Sequence, residues 1–254
     1  MSEAVLPRLV DRAAAPYRRR GSFAWHFARG KLGRDPVFTA LLRAGLFDRP
    51  THILDLGCGQ ALLANWIDAA HRLQAEGRLP GDWPTVARYT SYRGVELMPA
   101  DVARSAGALP EDARVECADM CRADFGRPDR IVILDVLHYV DFAAQLTVLD
   151  RIRAALDPEG VFILRVGDRA AGWRYGFTRL CDQLVMAGRG HGWVRLYCRP
   201  LAEWIGLLEA RGFQVEGTPM STGTPFANML LIARPVRPSA EPAGAFARMP
   251  ETPS

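Results

Sequence analysis

His52-Ile53-Leu54-Asp55-Leu56-Gly57-Cys58-Gly59-Gln60 is the stretch that decides how the chain is read. A short, mostly apolar run ends on an acid and passes into two glycines one residue apart. That is the pattern of a buried strand ending in a tight turn, because glycine accepts the left-handed backbone and lets a ligand approach closely. The stretch 61–75 has helical periodicity, so the first amides of a helix point back at the bend. Gly-x-Gly alone does not select the ligand. A dinucleotide site needs a third small residue, and Leu62 fills that place with a bulky one. Asp55 would also repel a pyrophosphate, so a cationic ligand suits this bend better.

Outward from the bend, apolar runs at 92–97, 114–117, 131–136 and 161–166 alternate with amphipathic stretches at 100–107 and 142–156. Continuous apolar strands separated by helices predict a parallel sheet covered on both faces, an α/β doubly wound architecture. Pro200 opens a further helix that stops at Gly212, and strands are expected near 213–216 and 228–233. Helix, strand, loop and strand in that order predict a terminal hairpin. Residues 1–50 read as helical, with Asp35-Pro36 as cap and first-turn proline and Gly45 closing the turn, and form an N-terminal helical cap or extra layer. The expected division is therefore a cap over 1–50, an α/β domain over 51–234 with an insertion at 167–199, and a flexible Pro-, Ala- and Ser-rich tail over 235–254.

Composition limits the classes available. The 254 residues are 49% hydrophobic and 24% charged, as in an ordinary globular protein, which excludes a mostly disordered chain. The apolar run beginning at Ile131 stops at Asp135, far short of the ~20 residues that cross a bilayer, so no membrane partner is expected. Net charge is +4, and Lys31 is the single lysine. The arginines are dispersed, which does not make a nucleic-acid footprint. Arg8, Asp11 and Arg12 interrupt any secretory core, and His26 and Arg29 break the stretch after Arg18-Arg19-Arg20 that a twin-arginine signal needs. The cysteines at 58, 117, 121, 181 and 198 have neither disulfide nor zinc spacing, so no metal is expected and a reduced, cytoplasmic chain is the simple reading.

Three further groups fall at the carboxyl ends of predicted strands, where open α/β sheets bind ligands. Glu96 ends the second strand, where an acid accepts hydrogen bonds from both ribose hydroxyls. It stands 41 positions after Asp55 rather than the usual ~20, and the Pro- and Gly-containing stretch 77–90 reads as the insertion responsible. Asp119-Met120 follows the third strand, its carboxylate placed for an exocyclic amine and Leu97, Met98 and Met120 for the flat ring. Asp135-Val136-Leu137-His138 ends the fourth.

Taken together, residues 52–164 resemble the class I S-adenosylmethionine-dependent methyltransferase family, small-molecule type. Asp55-Leu56-Gly57-Cys58-Gly59 resembles its cofactor loop, Glu96 its ribose-binding acid, Asp119 its adenine-binding acid and Asp135-Val136-Leu137-His138 its fourth-strand motif. The resemblance implies a Rossmann-like seven-stranded sheet with an antiparallel last strand, S-adenosylmethionine as cofactor, and a cofactor site of Asp55, Gly57, Cys58, Gly59, Glu96, Leu97, Asp119, Met120 and Asp135. It names no acceptor, and the late Glu96 is its main departure.

The reagent of such enzymes carries an already activated methyl, so the protein chiefly aligns the reactants, and a base is needed only where the acceptor must lose a proton. His138 and His191 are the candidate bases, each also readable as a structural or loop histidine, and Tyr139 is a third. Trp173, Arg174, Tyr175 and Trp193, with Phe177, Arg179, Arg195 and Tyr197, make an aromatic and basic segment suited to a flat or acyl-bearing acceptor with a carboxylate or phosphate handle. The same residues also suit simple packing on the sheet. Tyr17, His26 and Lys31 are further candidates for the pocket. A small-molecule methyltransferase acting on oxygen or carbon is the leading reading. A nucleic-acid enzyme is the second, although Val136-Leu137-His138-Tyr139 stands where a base-amino methylase has Pro-Pro-aromatic and Cys198 is a poor C5 nucleophile. A non-catalytic partner protein on the same fold is the third.

Overall fold

Strands with two apolar faces must be covered on both sides, and helices returning between parallel strands provide the cover. The computed structural model has that arrangement. It describes residues 5–188, 194–220 and 226–236. The strands are β1 His52–Leu56, β2 Ser91–Glu96, β3 Ala113–Cys117, β4 Arg130–Leu134, β5 Val161–Gly167, β6 Phe213–Pro219 and β7 Asn228–Pro235. They form one sheet in the order β3-β2-β1-β4-β5-β7-β6. The first five pair in parallel, and β7 runs antiparallel to both β5 and β6. The doubly wound, seven-stranded sheet with its antiparallel terminal hairpin is the one expected.

The helices are α1 Val5–Ala14, α2 Ser22–Arg34, α3 Pro36–Arg43, α4 Leu62–Ala75, α5 Pro99–Ser105, α6 Phe142–Ala155, α7 Trp173–Gly188 and α8 Leu201–Glu209. One face of the sheet packs on residues of α1 to α4, with Leu9, Leu41 and Trp66 fully buried. The other packs on α6 and α8 through Val148, Leu149, Ile152, Trp204 and Leu208. The period-2 alternation of a strand explains how β5 serves both cores: Ile163 enters the first, Phe162 and Leu164 the second.

The N-terminal helices share the first core with the sheet. In the 3-10 helix Ala15–Arg20, buried Tyr17 donates its hydroxyl to the Gln60 carbonyl at 2.7 Å and accepts from Asn65 Nδ2 at 3.0 Å. Trp66 Nε1 donates to the Phe38 carbonyl at 2.8 Å. The segment before β1 thus holds the turn that follows β1.

Two boundaries depart from the sequence reading, while 77–90 is the insertion it expects. The fourth strand stops at Leu134 rather than at residue 136, because Asp135 takes a left-handed φ of 61° that no strand continues through. Residues 173–188 form a 16-residue helix where the periodicity was interrupted by Gly172, Gly176 and Gly188. Residues 77–90 carry no helix or strand, and their amides at Ala87 and Thr90 donate to the Phe47 and Thr51 carbonyls. That insertion separates Asp55 from Glu96 in sequence while β1 and β2 remain side by side. The predicted tail beyond residue 236 lies outside the described residues.

Tyr17→Phe removes a buried hydroxyl and strands its partners, which should cost about 1–3 kcal/mol. Urea unfolding of the full chain checks this; an unchanged midpoint would mean that the N-terminal segment does not support the bend.

Candidate active site

The bend after β1 forms because the backbone there is left-handed at Gly57 (φ 72°) and Gly59 (φ 57°). A Cβ at Gly57 would lie 2.4 Å from the nearest Val136 side-chain atom, so only glycine lets the tips of β1 and β4 close together. A Cβ at Gly59 would meet no atom within 4 Å, so the second glycine faces open space. Gly57 and Cys58 both donate their amides to the Val95 carbonyl, at 2.7 and 3.2 Å.

Glu96 completes the bend. Its Oε2 accepts from the Gly59 amide at 2.8 Å and its Oε1 from the Met98 amide at 2.8 Å. The next side chain, Leu97, is 64% exposed, an apolar surface presented at the strand tip. Beyond β3, Asp119 Oδ1 accepts from the Cys121 amide at 2.9 Å, which fixes the carboxyl in a tight Asx turn. Met120 is half-buried against the second core, and its carbonyl accepts from Arg151.

Two residues of the expected site turn inward. Asp55 is buried and accepts from the Tyr92 hydroxyl. Burial pushes its carboxyl up to about 7; the Tyr92 hydrogen bond opposes the shift and the charge of Glu96 adds to it. Cys58 places Sγ over Gly94, where a Cβ would come within 2.5 Å of it, and burial pushes its thiol well above the ordinary range. At Cys58 it is therefore the backbone that lies along the bend.

Asp135 is the fourth strand-tip acid, and its surroundings hold the residue that the sequence reading missed. Arg165 on β5, 1% exposed, donates Nε to Asp135 Oδ1 at 2.8 Å and Nη2 to the other carboxylate oxygen. Its Nη1 and Nη2 also reach the two oxygens of Asp35, the cap of α3. Lys31 joins at 2.7 Å from Asp35 and 3.7 Å from Asp135. Two half-buried carboxylates thus share one buried guanidinium, which holds the Asp35 carboxyl far below its usual range and lifts Arg165 above its own. The signal was present: Arg165 is the one charge inside the apolar run 161–166.

Segment 17–35 crosses the strand tips. Phe23 at the start of α2 lies under the Arg104 guanidinium of α5 at 4.6 Å and stacks on Phe27 at 6.1 Å, and Lys31 near the other end reaches Asp135. His26 instead faces a surface groove of about 710 Å³ with Leu6, Val10 and Trp83. Another concavity, of about 530 Å³, opens at the amino ends of β1 to β3, the opposite end of the sheet from these acids.

Of the candidate bases, His138 is buried beside Tyr139, with ring centroids 4.3 Å apart, and burial pushes its pKa down to about 4. His191 and Trp193 lie outside the described residues. Trp173 is 70% exposed at the start of α7 with the Arg174 guanidinium 5.6 Å above its ring, and Tyr175 enters a separate cavity with Arg179. Among the described residues no three His, Cys, Asp or Glu side chains are grouped to hold a metal ion, and no helix is long and apolar enough to cross a membrane.

A nucleoside fits the groups at this edge: two acids, an exposed leucine beside them, and a glycine with nothing over it. Comparison with known proteins agrees. Residues 24–217 match the family model described as a methyltransferase domain. The chain is 25% identical over 170 residues to sphingolipid C9-methyltransferase A of Emericella nidulans, covering 65% of this chain and 30% of that protein. It is 30% identical over 118 residues to carboxy-S-adenosyl-L-methionine synthase of Chromohalobacter salexigens, covering 44% of this chain and 38% of that protein. The chain therefore spans about a third of the length of these curated relatives. In fold it is similar to the Burkholderia thailandensis 1,6-didemethyltoxoflavin-N1-methyltransferase solved with its substrate and S-adenosylhomocysteine, at 22% identity and a TM-score of 0.52 over 88% of this chain and 89% of that one. The chain belongs to the class I S-adenosylmethionine-dependent methyltransferase family, and S-adenosylmethionine is the cofactor of that family.

Two outcomes follow. Arg165→Met leaves two half-buried carboxylates with Lys31 as their remaining cation and should cost about 1–3 kcal/mol, measured by denaturant unfolding, whereas an unchanged midpoint would show the cluster to be solvated. Asp55 holds its proton in the folded chain up to about pH 7 but loses it near pH 4 when unfolded. Its contribution to stability is full below about pH 4 and is lost as pH rises to about 7. Asp55→Asn should therefore flatten the fall in melting temperature across that window; an identical slope in the variant would place the proton elsewhere.

Proposed function

We propose that the chain transfers the methyl group of S-adenosylmethionine to an oxygen or carbon atom of a small aromatic or acyl molecule. One observation carries the reading: Asp119, Glu96, the glycine bend and Asp135 follow the tips of β3, β2, β1 and β4, four neighbouring strands. At ~4.8 Å between strands, that row spans about 14 Å, enough for a nucleoside extended by an amino-acid tail. In this assignment Leu97 supports the adenine face, Asp119 takes its exocyclic amine, Glu96 takes the ribose hydroxyls, and the amino-acid end lies along the bend toward Asp135. Each oxygen of Glu96 already accepts one backbone amide and keeps further acceptor capacity for a hydroxyl.

The cofactor supplies a methyl group activated on a sulfonium. The chain's own contribution is alignment, worth roughly 7–11 kcal/mol in favourable geometry. The α2 stripe of Phe23, Phe27 and Lys31 reaches from α5 to the tip of β4, and the Asp35–Arg165–Asp135 cluster fixes the strand tip on which the acceptor is presented. A base with a pKa near 4 binds a proton weakly at neutral pH, so we assign His138 to packing and give any required proton removal to His191. The curated relative named for methylation at C9 of a sphingolipid supports retaining carbon among the acceptor atoms. Five cysteines, with no bridge among the described residues, fit a reducing compartment, and a cytoplasmic location is part of the proposal.

The test is methyl transfer from labelled S-adenosylmethionine to phenolic, carboxylic and acyl acceptors, with RNA as a parallel arm. Label should enter a small molecule and not RNA; label entering RNA alone would overturn the proposal. In calorimetry, Glu96→Ala should weaken S-adenosylhomocysteine binding about 10- to 150-fold. Unchanged affinity would place the ribose elsewhere.

A further inference from the structure

Beside the strand tips, Phe142, Arg169, Tyr175, Arg179, Arg195 and Tyr197 line a cavity of about 340 Å³. Its position follows from a buried amide. Gln145, fully enclosed, donates Nε2 to the carbonyls of Leu137, Val140 and Tyr197 at 3.1, 2.9 and 2.8 Å, and its Oε1 accepts from Arg199 Nε at 2.8 Å. The Tyr197 amide returns to the His138 carbonyl at 2.8 Å. One wall is therefore tied to the 3-10 helix Leu137–Tyr139, which begins two residues after Asp135.

The lining contains three guanidiniums and no carboxylate. No carboxylate lines the cavity beside Arg169, Arg179 and Arg195, whereas other arginines, such as Arg165, Arg199 and Arg211, have carboxylate partners. Arg195 lies 5.0 Å over the Tyr197 ring, which occupies one face of the guanidinium and leaves its N–H edge for a ligand. Tyr175 adds a phenol, protonated at neutral pH, to the lining. Like charges lining one cavity repel one another, and a multiply charged anion relieves that repulsion. A monocarboxylate offsets one charge, whereas a phosphate group offers more charge and three oxygens to planar N–H forks. The aromatic rings give the adjoining carbon skeleton an apolar surface.

We propose that this cavity binds a phosphate ester or diphosphate group, and that the acceptor is anchored by it while its methylated atom reaches the tip of β4. The acceptor role rests on the methyltransferase reading above; anion binding in the cavity does not.

The probe is inorganic pyrophosphate, titrated calorimetrically into the full chain and into Arg179→Gln, Arg195→Gln and the double variant, with benzoate and S-adenosylhomocysteine titrated into the same proteins. All three arginines of the cavity are exposed, so the variants should keep the parent melting temperature. One saturable pyrophosphate site is expected, weakened about tenfold or more by each substitution, with benzoate far weaker and S-adenosylhomocysteine unaffected. Absence of saturable pyrophosphate binding, equal binding by the double variant, or benzoate binding as tightly as pyrophosphate would overturn the anion site. Binding of pyrophosphate at these arginines without any binding of S-adenosylhomocysteine would overturn the acceptor role and leave the anion site standing.

Discussion

One carboxylate organises the tips of β1 and β2. Glu96 accepts the amide of the glycine bend with one oxygen and the amide that opens the β2 exit with the other, so two loops from neighbouring strands share a single anchor. Charged acceptors make the stronger class of hydrogen bond, and this one is almost wholly shielded from water. The bend is thus held in shape by the chain's own groups. Preorganisation of this kind lets binding energy go into contacts rather than into ordering the chain.

A second electrostatic constraint closes the other end of the row. Asp135 sits in a left-handed conformation that favours glycine, and Arg165 holds its carboxylate there from the adjacent strand. The same guanidinium binds Asp35, which caps α3, so the helices before the sheet are locked to the strand tips from which chemistry is expected. Together with the Tyr17 hydroxyl on Gln60, this gives the N-terminal segment two fixed points on the sheet, one at the bend and one at β4 and β5. Its helices are thus tied to the sheet at both places.

The sheet was legible because strands buried on both faces leave a continuous apolar signature, and every predicted strand falls on an observed one. The acids were legible because a carboxylate at a strand end after an apolar run has few packing reasons to be there. What the sequence could not convey was direction. Asp55 and Glu96 look alike in one dimension, yet Asp55 points inward to Tyr92 while Glu96 holds the bend. Cys58 sits in the bend but packs its sulfur on Gly94, a contact set by the neighbouring strand. Arg165 was visible as an oddity in β5, but its partners lie 30 and 130 positions away. Helix α7 was hidden by its glycines, since local propensity there is weak and packing decides.

The account reduces to a nucleoside lying across four strand tips with its ribose on Glu96. A crystal structure of the chain soaked with S-adenosylhomocysteine addresses it directly. The ribose hydroxyls should be found on the Glu96 carboxylate, the adenine against Leu97 with its amine at Asp119, and the amino-acid end beside Gly59. A nucleoside bound away from these tips, with Glu96 contacting only the two backbone amides, would contradict it.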